Sequence, residues 1–203
     1  DIDFGNTSLQ YVGQWHAGNN LSIAQQNDLN IAQGEYLAAD QTLAVATTGN
    51  ITNAGILQAN IIEVNAHTLT NQSTGEISAA GLNAAHQTQT DRSQNQPLHT
   101  LTNEGVLVLG NLDIYLNVFN NTGTVNTTSA TDNFTVNAAS INLAAGTVRA
   151  VQNIALTARD GGDIVSGAVV TSSKGIALTG ENINVTGVMT SGVDYNTNAI
   201  NQA

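Results

Sequence analysis

The best candidate for acid–base chemistry is the segment Arg159-Asp160-Gly161-Gly162-Asp163. Paired carboxylates serve as general acid and base in glycoside hydrolysis, and carboxylate oxygens also bind calcium. The two aspartates could therefore flank a catalytic site or a cation. Aspartate and glycine are also common turn residues, and we expect this segment to be a polar turn between two strands.

Two histidines could contribute to a metal site. His86 and His99 lie 13 positions apart, with Asp91 between them. Imidazole and carboxylate groups are zinc ligands, but this spacing is uninformative and histidine is common in polar surface segments. Serine, histidine and aspartate occur without any arrangement that predicts a catalytic triad. We therefore expect no cofactor, no metal and no enzymatic activity.

The side chains best suited to recognition lie in two segments that depart from the rest of the chain. The segment 83–99 shows no alternation of apolar and polar residues, and aromatic residues concentrate in 1–18. Aromatic side chains are favoured interface anchors. The structural alternatives are a solvated loop for the first segment and, for the second, packing over one end of the fold. The predicted receptor-binding residues are His86, Thr88, Gln89, Arg92, Gln94, Gln96, His99, Tyr11 and Trp15, with His16 as a further candidate.

Composition excludes several partners and favours export. The formal net charge is −11, and the four cations are Arg92, Arg149, Arg159 and Lys174. Nucleic acids and anionic membranes bind basic patches, so we expect neither as a partner. The chain has no cysteine, which suits an exoprotein that crosses an outer membrane unfolded. No apolar run approaches the ~20 residues of a membrane span, and no basic leader opens the chain. We expect an exported segment of a longer protein.

A short apolar–x–apolar pattern recurs from end to end. Alternation with period two predicts strands with one buried face, and asparagine and glycine bound these strands as turn residues. The copies begin at Leu21, Leu29, Leu43, Leu112, Phe134, Ile141, Ile154, Ile176 and Ile183.

A second pattern predicts a strand, a corner from asparagine to glycine, and another strand. Asparagine and glycine tolerate the positive φ that tight corners often need. We expect the asparagines to stack between coils as a hydrogen-bonded ladder. The pattern occurs at Ile51–Leu57, Leu69–Ile77, Leu101–Leu107 and Val118–Val125, and the asparagines are Asn53, Asn71, Asn103 and Asn120.

The spacing of the patterns predicts coils of about 20 residues. Gly55 and Gly75 are 20 positions apart, and Gly105 and Gly123 are 18 apart. This period favours a parallel β-helix over hairpins, because each coil buries its apolar face on the next. The chain would form about ten coils, a rod on the order of 50 Å long. The interval from Gly75 to Gly105 is 30, so we expect an extruded loop there.

These patterns resemble the filamentous haemagglutinin repeats of two-partner-secreted exoproteins, which include the contact-dependent inhibition effector proteins. The resemblance covers roughly residues 20–190. It implies a right-handed parallel β-helix, export through an outer-membrane two-partner transporter, and adhesion or receptor binding at a cell surface. The Asn-Pro-Asn motifs of that family's secretion domain are absent, since Pro97 follows glutamine. We therefore expect an internal fibre segment.

The sequence thus predicts an all-β chain with one right-handed parallel β-helix over 1–203. Residues 1–18 would form an atypical first coil or cap, 83–100 an inserted loop and 190–203 a polar tail. The expected function is a secreted bacterial surface fibre segment that binds an outer-membrane protein or glycan receptor on a target cell, without membrane insertion. The alternatives are a purely structural fibre spacer and a polysaccharide-active β-helix enzyme.

Overall fold

The backbone winds as a parallel β-solenoid. A computed structural model describes residues 1–4, 13–83, 98–127 and 131–192, with the backbone alone for 111–115. In these ranges the chain forms 21 strands and no helix. The strand pairings are parallel, and partners lie about 20 residues apart, as Leu21 and Leu43 do. The prediction of an all-β solenoid with coils of about 20 residues is confirmed.

Each turn contributes three strands, which stack on their counterparts in three faces. Face 1 contains β2 (Gln14–Ala17), β5 (Tyr36–Ala39), β13 (Thr124–Thr127), β15 (Thr147–Ala150), β18 (Val169–Ser172) and β21 (Val188–Ser191). Face 2 contains β1 (Ile2–Phe4), β3 (Asn20–Gln25), β6 (Thr42–Thr47), β16 (Ile154–Ala158) and β19 (Ile176–Thr179). Face 3 contains β4 (Leu29–Ile31), β7 (Asn50–Asn53), β9 (Thr68–Asn71), β11 (Thr100–Asn103), β17 (Asp163–Ser166) and β20 (Asn182–Val185).

Four longer strands pass from one face to the next without a break in strand structure. They are β8 (Ile56–Asn65) and β10 (Glu76–Asn83), from face 1 to face 2, β14 (Phe134–Leu143), from face 2 to face 3, and β12 (Val106–Asn121), which runs through all three. The described residues make about eight turns. The estimate of about ten was too high, because it divided the whole chain, including its insertion and ends, by the coil length.

The core lies inside the three faces and is built by the period-two alternation of the strands. In β6, Leu43 and Val45 are buried while the intervening Ala44 is half-buried on the outside. Larger side chains stack in the same way, and the rings of Phe119 and Phe134 lie 6.1 Å apart. Full burial of such a side chain contributes about 1.5–3 kcal/mol. Because neighbouring turns supply that burial, stacking between turns stabilises the rod.

Glycines occupy the corners from face 3 to face 1 because backbones approach closely there. A Cβ atom at Gly105 would lie 2.2 Å from the carbonyl oxygen of Gly75, and one at Gly123 would lie 2.2 Å from that of Gly105. No side chain fits at such distances. None of these glycines, nor Gly55, has a positive φ. The prediction that they provide positive φ is wrong, since contact between turns is what excludes a Cβ atom.

A ladder of buried asparagines runs along the inside of face 3. The amide nitrogen of Asn53 donates to the amide oxygen of Asn71 at 2.8 Å, and Asn71 donates to Asn103 at 2.8 Å. Asn103 donates to Asn121 at 2.7 Å. The predicted ladder is confirmed at three positions and wrong at the fourth, since Asn120 points outward and is half-buried. Alternation places the second residue of this Asn–Asn pair inside.

The register locates the insertion between face 2 and face 3. Asn83 pairs with Glu63 and Thr100 pairs with Thr68. The first residues of these pairs are 17 positions apart and the second are 5 apart, so the later turn is 12 residues longer. The surplus corresponds to 86–97, which lies outside the described residues. The predicted loop at 83–100 thus includes residues that continue the turn.

The two ends of the described stack differ. Phe4 and Trp15 are half-buried against the core near the start, where β1 and β2 already pair in the ladder. At the other end Ile183 is 44% exposed and Val185 is 39% exposed. Their counterparts one turn earlier, Ile164 and Ser166, are fully buried. The last described turn therefore leaves apolar side chains of the interior uncovered.

Candidate functional site

A groove with a volume of about 740 Å³ crosses the first turns of face 1, near the corner with face 2. Its lining residues come from β2, β5, β8, β10 and β12, or from the turns that follow them. Since neighbouring strands lie ~4.8 Å apart, the groove extends ~19 Å along the rod. It therefore runs across the strands, parallel to the rod axis.

One row of outward-facing residues forms the length of the groove. His16 pairs with Ala38, Ala38 with Gln58, Gln58 with Ser78, and Ser78 with Val108. All five line the groove. Because side chains alternate between the two sides of a strand, the preceding residues face the core, and the row faces solvent. The period of the strands thus places one side chain of each turn at a fixed height.

Small side chains account for the depth of the groove. Ala38, Ala59 and Ala79 line it and are less than a tenth exposed. Tyr36, which is half-buried, is the aromatic side chain among the lining residues. The lining therefore combines an apolar floor with one ring and several polar side chains, as ligand sites commonly do.

The charged groups of the groove lie at its β2 end. Nε2 of His16 is 2.8 Å from Oδ1 of Asp40, and the two side chains are 51% and 56% exposed. Such an exposed pair contributes little to stability. Ser78 is three strands away from His16, ~14 Å along the row. The groove therefore does not assemble serine, histidine and aspartate into a nucleophilic triad.

The described part of the chain includes two of the predicted receptor-binding residues, and it does not bring them together. Trp15 faces the core on β2, where its ring meets that of Phe4 edge-on at 4.6 Å. His99 lies at the corner before β11, stacked on His67 with ring centroids 5.3 Å apart. Neither lines the groove, and their role in recognition stays a prediction. Tyr11, His86, Thr88, Gln89, Arg92, Gln94 and Gln96 lie outside the described residues.

The acidic segment singled out by the sequence is the turn between β16 and β17. Oδ1 of Asp163 accepts a hydrogen bond from Asn182 at 2.8 Å, and Arg159 donates to the carbonyl oxygen of Leu116 at 2.6 Å and to Asn117 at 3.1 Å. These contacts connect different turns. Within the described ranges, no group of three or more His, Cys, Asp or Glu side chains could hold a metal ion.

Sequence reasoning singled out His16 and missed the other polar residues of the groove. Those are Asp40, Gln58, Asn60 and Ser78. A signal existed, because alignment of the turns at their corners places Gln58 and Ser78 at equivalent positions. The coil length varies, however, and individual residues of the turns were not aligned.

No protein-family model, curated protein or solved structure matches the chain. Residues 1–4, 13–83, 98–127 and 131–192 contain no helix with the length and hydropathy needed to cross a membrane. The functional argument therefore rests on the solenoid, its repeats and the groove.

Proposed function

We propose that the chain is a segment of a secreted bacterial surface fibre that binds a receptor on a target cell. The groove of about 740 Å³ on face 1 carries this proposal, because it is a concave site with an apolar floor and polar side chains. The parent protein would belong with two-partner-secreted exoproteins of the filamentous haemagglutinin type, as the repeats suggest. It would be an adhesin or a contact-dependent inhibition effector protein.

The solenoid suits a fibre for a physical reason. Each turn contacts its neighbours alone, so length can increase by repetition without a larger core. The described end with exposed Ile183 and Val185 offers apolar surface and strand edges on which a further turn could stack. A fibre of this kind places the groove on its side, where a receptor can reach it.

The lining of the groove favours recognition over hydrolysis. Glycosidases use two carboxyl groups about 5–9.5 Å apart. Asp40 is the one carboxylate among the described residues that line the groove, and it already accepts a hydrogen bond or ion pair from His16. The polysaccharide-active enzyme is therefore the weaker alternative, and the structural spacer is the main competitor.

A second candidate contact is the insertion at 86–97 together with Tyr11. Insertions of solenoids commonly lie on one face, often the binding face. A deletion should stop before Leu98, because Leu98 is fully buried in the core and His99 stacks on His67. Removal of 86–97 gives the later turn the same length as the earlier one.

Binding of the labelled chain to intact bacterial and host cells tests the proposal. Ser78→Arg should fill the groove and weaken saturable binding at least about tenfold, a loss of ~1.4 kcal/mol. Asn126→Arg is the matched control, because Asn126 lies in the same row beyond the groove, opposite Val108. Absence of binding by the folded wild-type chain to either cell type would sink the proposal and favour a spacer. Loss on deletion of 86–97 alone would move the site to the insertion.

A further inference from the structure

We infer that the groove on face 1 takes a neutral oligosaccharide laid along the rod axis, across the stacked strands. This inference names the ligand class of the site and rests on the proposed function. Its first support is geometric. The row Ala38, Gln58, Ser78 and Val108 presents one side chain per turn, at a spacing of ~4.8 Å. A chain of repeating units can meet one turn after another, whereas a compact ligand would use one end.

The backbone of the groove argues against an extended peptide. Peptides that add to a sheet pair with the free backbone groups of an edge strand. Here β5 pairs with β8, β8 with β10, and β10 with β12, so the strands beneath the groove are interior to the ladder. A ligand in this position has side chains as its partners, which favours a molecule that carries many hydroxyl groups of its own.

The polar side chains suit such hydroxyl groups. The amides of Gln58 and Asn60 both donate and accept, as does the hydroxyl of Ser78. Within the described residues these three side chains have no hydrogen-bond partner, and Gln58 and Asn60 are exposed. They are therefore available to a ligand. Sugar hydroxyls also donate and accept, so each side chain can be matched in either sense.

The apolar side chains suit the other surface of a sugar. The half-buried ring of Tyr36 and the floor of Ala38, Ala59 and Ala79 offer small apolar contacts. Aromatic rings with one polar group are effective at surfaces that are part apolar and part wet. The C–H faces of pyranose rings and the methyl of an acetamido group would pack against them.

Charge selects a neutral ligand. No lysine or arginine is among the described residues that line the groove, and His16 with Asp40 is its one ion pair. The whole chain carries a net charge of −11. Sulfated or sialylated chains would meet an unfavourable potential without a cationic partner. We therefore expect neutral chains to bind and anionic chains of the same length to bind more weakly.

The test titrates the chain with the β-1,4-linked tetramer of N-acetylglucosamine, with maltotetraose, and with a heparin tetrasaccharide as the anionic comparison. At least one neutral tetramer should bind saturably and the heparin tetramer should not. Gln58→Leu should weaken that binding about tenfold, because it removes one or two hydrogen bonds at nearly constant size. Asn126→Leu is the matched control and should leave affinity within about twofold.

A cell arm separates this inference from the proposed function. Periodate cleaves the vicinal diols of cell-surface glycans, and it should abolish binding that Ser78→Arg also abolishes. If groove-dependent cell binding survives periodate and neither neutral tetramer binds, the receptor is a protein, and the ligand class is wrong while the proposed function stands. If a neutral tetramer binds in the groove and no cell does, the inference stands and the receptor function falls.

Discussion

Replacement of Asn103 by leucine should destabilise the solenoid more than the same change at Asn121, although both side chains are fully buried. Asn71 donates to Asn103, and Asn103 donates to Asn121. Leucine at 103 therefore leaves the amide oxygen of Asn121 buried without a donor. Leucine at 121 leaves no such oxygen, because the amide nitrogen of Asn103 keeps the carbonyl oxygens of Gly105 and Thr124.

The expected magnitude comes from the unpaired oxygen. A buried polar atom without a partner costs about 1–3 kcal/mol. Packing differs little between the two variants, since both exchange a buried amide for leucine at the same corner. The chain itself has Leu143 on the turn after Asn121, opposite it in the stack and fully buried. Asn103→Leu should therefore lower the free energy of unfolding by about 1–3 kcal/mol more than Asn121→Leu.

The direction of donation extends the prediction to the other two asparagines. The amide oxygen of Asn53 is already buried without a partner. Asn53→Leu transfers this defect to Asn71, so the number of unpaired oxygens stays the same. Asn71→Leu adds one, at Asn103. We expect Asn71→Leu to resemble Asn103→Leu, and Asn53→Leu to resemble Asn121→Leu.

Urea unfolding followed by far-ultraviolet circular dichroism measures these differences, provided that the slopes of the four variants agree. Two small and two large losses of stability, paired as stated, would support a directional ladder. Equal losses for all four variants, or a larger loss at Asn121 than at Asn103, would refute the reasoning.

Two further predictions concern the corners and the insertion. Gly105→Ala should destabilise by several kcal/mol, more than the ~1 kcal/mol typical of surveyed point mutants, because its Cβ would lie 2.2 Å from the carbonyl oxygen of Gly75. Gly81→Ala is the matched control, since a Cβ atom there has nothing within 4 Å, and a thermal melt compares the two. Deletion of 86–97 should leave the β-sheet circular dichroism spectrum and melting temperature nearly unchanged, and unfolding of that variant would contradict the register.

Local pattern predicted the strands because burial has a simple period here. Each strand places alternate residues inside, and the same three strands recur every 20 residues or so, as Leu21, Leu43 and Ile62 illustrate. The patterns also located the corners. They could not give the cause of the corner glycines, because close approach between turns involves residues that are a whole coil apart in sequence.

The groove was harder to predict for a related reason. It is made by side chains of different turns, such as Gln58 and Ser78, whose alignment depends on coil lengths that vary along the chain. A shift of one residue would turn either side chain into the core. The choice between Asn120 and Asn121 has the same origin. The spacing from asparagine to glycine, two positions at Asn53 and Asn103, would have identified Asn121.

The register of the stacked turns is the central claim, because the ladder, the insertion and the groove all depend on it. The chain has no cysteine, so introduced pairs report without background. Thr70 and Thr102 are direct partners on neighbouring turns and enclose the insertion, whereas Thr52 is one turn further from Thr102. Disulfides need Cα atoms about 4.4–6.8 Å apart, and turns are spaced by ~4.8 Å.

Oxidation of the double variant Thr70→Cys/Thr102→Cys, read by mass spectrometry of the monomer under non-reducing conditions, is therefore the most direct measurement. The account predicts a rapid intramolecular disulfide in this variant and none in the control Thr52→Cys/Thr102→Cys, whose Cα atoms would lie ~9.6 Å apart. Cross-linking of the control in preference to the partner pair would contradict the register, and with it the groove.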